Sequence, residues 1–173
     1  MWFDRAYLGE DWSIHRRMNE VDTKLTAVRF PSTTTRRPRS ILKYTKYKGN
    51  ELRSVLLFAH RAFEGVLQNE YCDHFFLLVL IMHLAEARSL HRDWIETLQQ
   101  LCTQFVLTFP RLYSARHNVQ VIHSVIHIGD TVKGYGPLCT FSTFNFESLL
   151  GMSPCWIPRI QSSLCLFQLI QDS

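Results

Sequence analysis

The run Phe75-Phe-Leu-Leu-Val-Leu-Ile-Met82 constrains the fold of this chain more than any other feature. It contains no polar residue, and the apolar pattern around it, from Asn69 to about Ala87, has the length of a helix. A membrane span needs roughly 20 such residues, so the run predicts a core helix, apolar nearly all round and central in the fold. Asn69 is placed to cap it. No membrane partner is expected. The rest of the chain must supply elements that cover this helix.

Apolar residues recur at helical spacing on both sides of it. Trp12, Ile14, Met18, Val21, Leu25 and Val28 predict a helix over 12–28, stopped by Pro31. A second stripe, Leu52, Val55, Leu56, Ala59, Phe63 and Val66, starts near Asn50 and weakens at Gly65. Trp94, Leu98, Leu101, Phe105 and Phe109 mark a helix over about 90–114, which Pro110 bends or ends. Val121, Ile122, Val125, Ile126 and Ile128 place another over Val119 to Val132, broken by Gly134 and Gly136-Pro137. Phe141, Phe144 and Phe146 crowd six positions and predict a short extended piece leading into a helix at Glu147. There is no internal repeat, no low-complexity tract and no run of strands. The fold class is mostly α.

A chain of 173 residues is one domain or a piece of one. Its 46% hydrophobic and 13% aromatic content is enough for a packed core. The five cysteines are odd in number and none has C-x-x-C spacing, which argues against a disulfide framework and a cysteine zinc knuckle. A reduced intracellular compartment fits. Met1 is followed by Trp-Phe-Asp-Arg, not by the basic and apolar regions of a secretory signal.

The net charge of +4 is mild, but its distribution is not even. From Arg29 to Arg53 the basic residues Arg29, Arg36, Arg37, Arg39, Lys43, Lys46, Lys48 and Arg53 are opposed by Glu51 alone. Residues 31–39 carry two prolines and no apolar anchor, and the segment 31–48 is predicted to be an exposed basic arm. Arg36, Arg37, Arg39, Lys43, Lys46 and Lys48, interleaved with Tyr44 and Tyr47, suit phosphate contact and stacking on bases. A solvated loop is the plainer alternative. Glu51 and Arg53, beside apolar positions, are expected in structural ion pairs.

His123 and His127 lie one helical turn apart and share a face. H-x-x-x-H can contribute to a zinc site, but such a site needs three or four ligands, and Ser124 stands where a zinc protease has glutamate. On an apolar helix the pair reads first as packed core residues. The alternative is a site that orients a carboxylate or phosphate. Glu147, in a first helical turn, reads from spacing alone as a cap stabilised by the helix dipole. Nucleotide-binding glycine loops and the G-x-S-x-G nucleophile motif are absent from the sequence.

Taken together, several of these segments resemble the C-terminal part of transposases of the CACTA (En/Spm-like) group and their transposon-derived relatives. Asp22-x-x-Leu25, Pro31 and Arg36-Arg-Pro38-Arg39-Ser40 are similar to that family's D-x-x-L, P and R-x-P-R-S. Lys48-Gly-Asn-Glu51-Leu-Arg53 with Leu56-Leu57 is similar to K-A-x-E-x-R and L-L, with Gly49 replacing the usual alanine. His74-Phe75 with Leu77-Leu78, and Phe105-Val106, Phe109 and Leu112-Tyr113, follow in the family's order. His123 and His127 match its paired histidines, although Val121 stands where asparagine is common. Gly136-Pro137-Leu138, Ser142, Phe144, Phe146 and Glu147 match G-P-L and S-x-F-x-F-E.

The resemblance covers residues 1–152 and implies a helical insertion and C-terminal segment of an RNase H-like core, incomplete here. Residues 153–173 are a divergent tail, expected to arise from a frameshift or read-through. In the intact enzyme the resemblance implies Mg²⁺-dependent cleavage and strand transfer at transposon DNA ends, in the nucleus, with oligomerisation left open. Glu147 would be the metal-binding third acid, with His123 and His127 in support. The family's Asp-x-x-His motif and an earlier aspartate have no counterpart in this chain, so it carries at most one of three catalytic acids and is expected to be inactive alone. A co-opted DNA- or protein-binding module without chemistry is the alternative.

Overall fold

The computed structural model describes residues 1–31, 34, 37–88 and 91–141. Helix α1 (Met18–Ala27) begins later than the apolar spacing predicts, after a 3-10 turn at His15–Arg17. Its entry is fixed from outside the helix. The Ile14 amide donates to Trp2 O at 2.9 Å, and the Arg17 guanidinium donates to Val66 O at 2.8 Å and Gly65 O at 2.9 Å. Met18, Val21 and Leu25 are buried at helical spacing. The helix ends at Ala27 because Val28 is extended, before Pro31 is reached.

The segment after Pro38 is not a loop throughout. Residues Ile41–Lys46 form a 3-10 segment, kinked at Lys43, that packs against α1. Asp22 of α1 accepts from the Ile41 amide at 2.8 Å, and Ser40 Oγ accepts from the Leu42 amide at 3.3 Å, so both side chains satisfy donors at its start.

The single helix expected from Asn50 is three pieces: α2 (Gly49–Ser54), a π-helical stretch at Val55–Ala59 and a 3-10 turn at His60–Phe63. Ser54, Val55, Leu56, Leu57 and Ala59 are all buried, a stripe too wide for one α-helical face. A π turn takes an extra residue and turns more of the run inward. Two carbonyls of this stretch are capped by histidines: His60 Nδ1 donates to Leu56 O at 3.2 Å and His83 Nε2 to Leu57 O at 3.1 Å.

Helix α3 (Asn69–Glu86) is the predicted apolar helix. Gln68, not Asn69, occupies the capping position, and no side chain caps the helix. Tyr71, Cys72, His74, Phe75, Val79, Ile81, Met82 and Ala85 are buried, but Leu80 faces outward, so one strip of the helix reaches solvent. Helix α4 (Arg92–Tyr113) packs along α3. It buries Leu98, Cys102, Phe105, Val106, Phe109 and Tyr113 and leaves Trp94 exposed. Pro110 lies inside α4 without ending it. It donates nothing to Val106 O. The adjacent carbonyl, Phe105 O, accepts from the buried His74 Nε2 at 3.0 Å, and the His74 ring stacks on Phe105 at 4.2 Å.

The helix predicted over Val119 to Val132 is also divided, into α5 (Gln120–Ser124), a 3-10 turn at Val125–His127 and α6 (Ile128–Tyr135). Gly136, at φ +81°, closes α6 by returning its amide to Val132 O at 2.9 Å. A short helix, α7 (Leu138–Phe141), follows. Gly129 allows α6 to lie against α4, since a Cβ there would fall 2.0 Å from Gln99 Oε1 and 3.2 Å from Gln99 Cα. The N-terminal residues close the other side of the core: Trp2 meets Phe75 edge-on at 5.1 Å and packs on Phe63 at 5.9 Å. Among the described residues there is no strand, and no helix is long and apolar enough to cross a membrane.

Candidate nucleic-acid interface

The basic segment is built around Glu51. Its carboxylate is fully buried and accepts three hydrogen bonds: from the Arg39 amide, from Arg39 Nη2 and from the Lys48 amide, each at 3.1 Å. One acid therefore ties together both ends of the segment 39–48 and caps α2. Tyr47 fixes the same geometry from inside. It is 4% exposed, its hydroxyl donates to Arg39 O, and burial, with the Glu51 carboxylate next in weight, pushes its pKa far above the usual phenol value.

The predicted contact residues divide accordingly. Lys43, Lys46 and Lys48 are exposed. Arg37 is exposed, donates to Val28 O at 3.0 Å and lies 6.0 Å from the Phe30 ring centre. Arg39 is committed to Glu51, with 27% of its side chain exposed. Arg36 lies outside the described residues. The expectation that Tyr47 stacks on bases is corrected, since Tyr47 is interior; Tyr44 is half-buried against Phe3, with ring centroids 5.2 Å apart. Burial raises the Tyr44 pKa, with the Asp4 carboxylate next in weight, so one acid from the N-terminal residues stands near this surface. Arg53, the other residue expected in a structural pair, binds both carboxylate oxygens of Glu86 on α3.

The paired histidines are not core residues. Val121, Val125, Ile128 and Val132 form the buried stripe of α5 and α6, while His123 and His127 are exposed. The spacing that puts the histidines together also puts them away from that stripe. Their rings meet edge to face at 5.6 Å and 83°. The predicted extended piece starts instead in helix, since Phe141 ends α7; Ser142, Phe144, Phe146, Glu147 and the tail 153–173 lie outside the described residues, and so does the Glu147 metal position. Among the described residues no three His, Cys, Asp or Glu side chains converge to hold a metal ion.

The cysteines in the core carry no nucleophile. Cys102 is fully buried and its thiol is pushed up to about 11 by burial; Cys72 is shifted in the same direction for the same reason. Sequence reasoning expected Glu51 to be paired without identifying its role as the anchor of the basic segment. The signal was present: a lone acid among eight cations, beside the apolar Leu52 and Val55. No family model, curated protein or solved structure matches the chain.

Proposed function

We propose that this chain is a helical DNA-binding segment of CACTA-like transposase descent, one that binds the phosphate backbone without cleaving it on its own. The observation that carries the reading is the fate of Glu51. The single acid within the basic segment is buried and consumed internally, so Arg37, Lys43, Lys46 and Lys48 face water without an acid of their own segment beside them. Such a surface suits sequence-independent contact with phosphates. DNA as partner places the chain in the nucleus. In the intact transposase, Glu147 is the acid this chain would contribute to Mg²⁺ binding, the other two coming from sequence this chain does not contain. The resemblance gives His123 and His127 a supporting role in that enzyme.

The experiment is duplex affinity as a function of salt for the wild type and a Lys43→Ala, Lys46→Ala, Lys48→Ala variant. Each phosphate contact contributes about 0.9 to the slope of log K against log salt. Losing three contacts should lower that slope by about 2–3 and weaken binding uniformly across sequences. Affinity and slope unchanged in the variant would remove the segment from any DNA interface. Nicking of DNA by the wild-type chain with Mg²⁺, lost in Glu147→Ala, would overturn the non-catalytic part.

A further inference from the structure

The exposed histidine pair is not explained by packing. His123 is on α5 and His127 ends the following 3-10 turn, both on an element whose opposite side is locked into the core by Val121, Val125, Ile128 and Val132. The local backbone is further tied by Ser124 Oγ, which donates to Val121 O at 2.7 Å, and Thr131 Oγ1, which donates to His127 O at 2.8 Å. Among the described residues neither imidazole has a hydrogen-bond partner, and the two rings lie beside each other. Two nitrogen ligands are thus held side by side, open to solvent, on a fixed support.

We propose that His123 and His127 form an open two-imidazole site for a divalent transition-metal ion that imidazole nitrogen favours. Two imidazoles sharing a tetrahedral zinc, with each nitrogen about 2 Å from the metal, have ring centroids about 5.3 Å apart. The observed 5.6 Å separation is close to this, within the reach of a small rotation of two exposed side chains. Imidazole nitrogen selects zinc, nickel or copper over magnesium, which takes oxygen ligands. The site is therefore distinct in chemistry from the Mg²⁺ role that the family resemblance gives Glu147. Water fills the remaining positions, since no third His, Cys, Asp or Glu joins the pair among the described residues. Asp130, exposed one turn further along the same surface, adds a negative charge that favours a cation. The inference does not depend on DNA binding.

The test is calorimetric titration of the full, untagged chain with Zn²⁺ alone, in magnesium-containing buffer. One ion per chain is expected. His123→Ala and His127→Ala should each weaken binding at least about tenfold, because the second ligand binds as part of a chelate. His91→Ala, at another exposed histidine beside Asp93, should leave it unchanged. Zn²⁺ should raise the thermal midpoint of the wild type and not that of the double variant. Zinc binding that survives the double variant, falls equally in His91→Ala, or is absent from the wild type would overturn the site. Both histidines are exposed, so the variants should fold, and matching melts without metal check this; His123→Gln and His127→Gln give the same comparison with polar replacements.

Discussion

Replacing Glu51 by alanine tests the architecture of the basic segment at its anchor. The substitution strands two backbone donors, the amides of Arg39 and Lys48, and the Nη2 donor of Arg39. Each stranded amide costs about 1–1.5 kcal/mol, at the lower end of the range for unsatisfied buried donors. The guanidinium adds about 1 kcal/mol, reduced because 27% of that side chain already meets water. The sum, about 3–4 kcal/mol, matches the typical loss when one partner of a buried ion pair is removed. Chains of this size are held by about 5–15 kcal/mol, so the variant should fold with its urea midpoint lowered and its m-value unchanged. Arg39→Ala should also destabilise, since it leaves the buried carboxylate with amide partners only. The double variant should fall short of the sum of the singles by about 1–2 kcal/mol, the signature of a shared network. A Glu51→Ala loss below about 1 kcal/mol, in a single cooperative transition, would refute the anchoring argument.

Three further outcomes follow from the same geometry. Gly129→Ala should destabilise by about 1–3 kcal/mol in urea unfolding, because the new methyl displaces the Gln99 amide and presses on Gln99 Cα, whereas Gly134→Ala, with open space around its Cβ, should not. His74 is held below the usual histidine pKa by burial, so the unfolded chain takes up a proton before the folded one does; stability is full above about pH 6.5 and falls on acidification through the window below it, and His74→Phe should flatten that slope in pH-dependent melts. Arg53→Ala should destabilise more than Arg61→Ala, since Arg53 binds both oxygens of Glu86 across to α3 while Arg61 is exposed; equal melts would remove the Arg53–Glu86 pair from the stabilising contacts.

The long helices were legible because length and burial agree in them. Between Asn69 and Glu86 the apolar density leaves a helix little choice, and in α4 the spacing of Leu98, Phe105 and Phe109 sets one face. Pro110 shows the limit of local rules there: the helix passes through it, with His74 from α3 serving the neighbouring carbonyl. The breaks in the other helices depend on partners distant in sequence. The π stretch at Val55–Ala59 is completed by His83, and the 3-10 helix at Ile41–Lys46 is started by Asp22, neither of which a window along the chain contains.

The candidate site was misread for a related reason. Apolar neighbours made His123 and His127 look like core residues, yet the helix that buries Val121, Val125, Ile128 and Val132 must turn residues 123 and 127 toward water. A helical projection of 119–132 would have separated the two faces; a count of apolar neighbours could not. In the basic segment the error ran the other way. Tyr47 and Arg39 look like surface ligands beside five other cations, but Arg39 is spent on the buried Glu51 and Tyr47 is buried with its hydroxyl on Arg39 O. What remains outside is Lys43 and Lys46 on a short kinked 3-10 segment and Lys48 at the start of α2, and the Glu51 hydrogen bonds that brace both ends of this stretch turn a run of cations into a surface of defined shape.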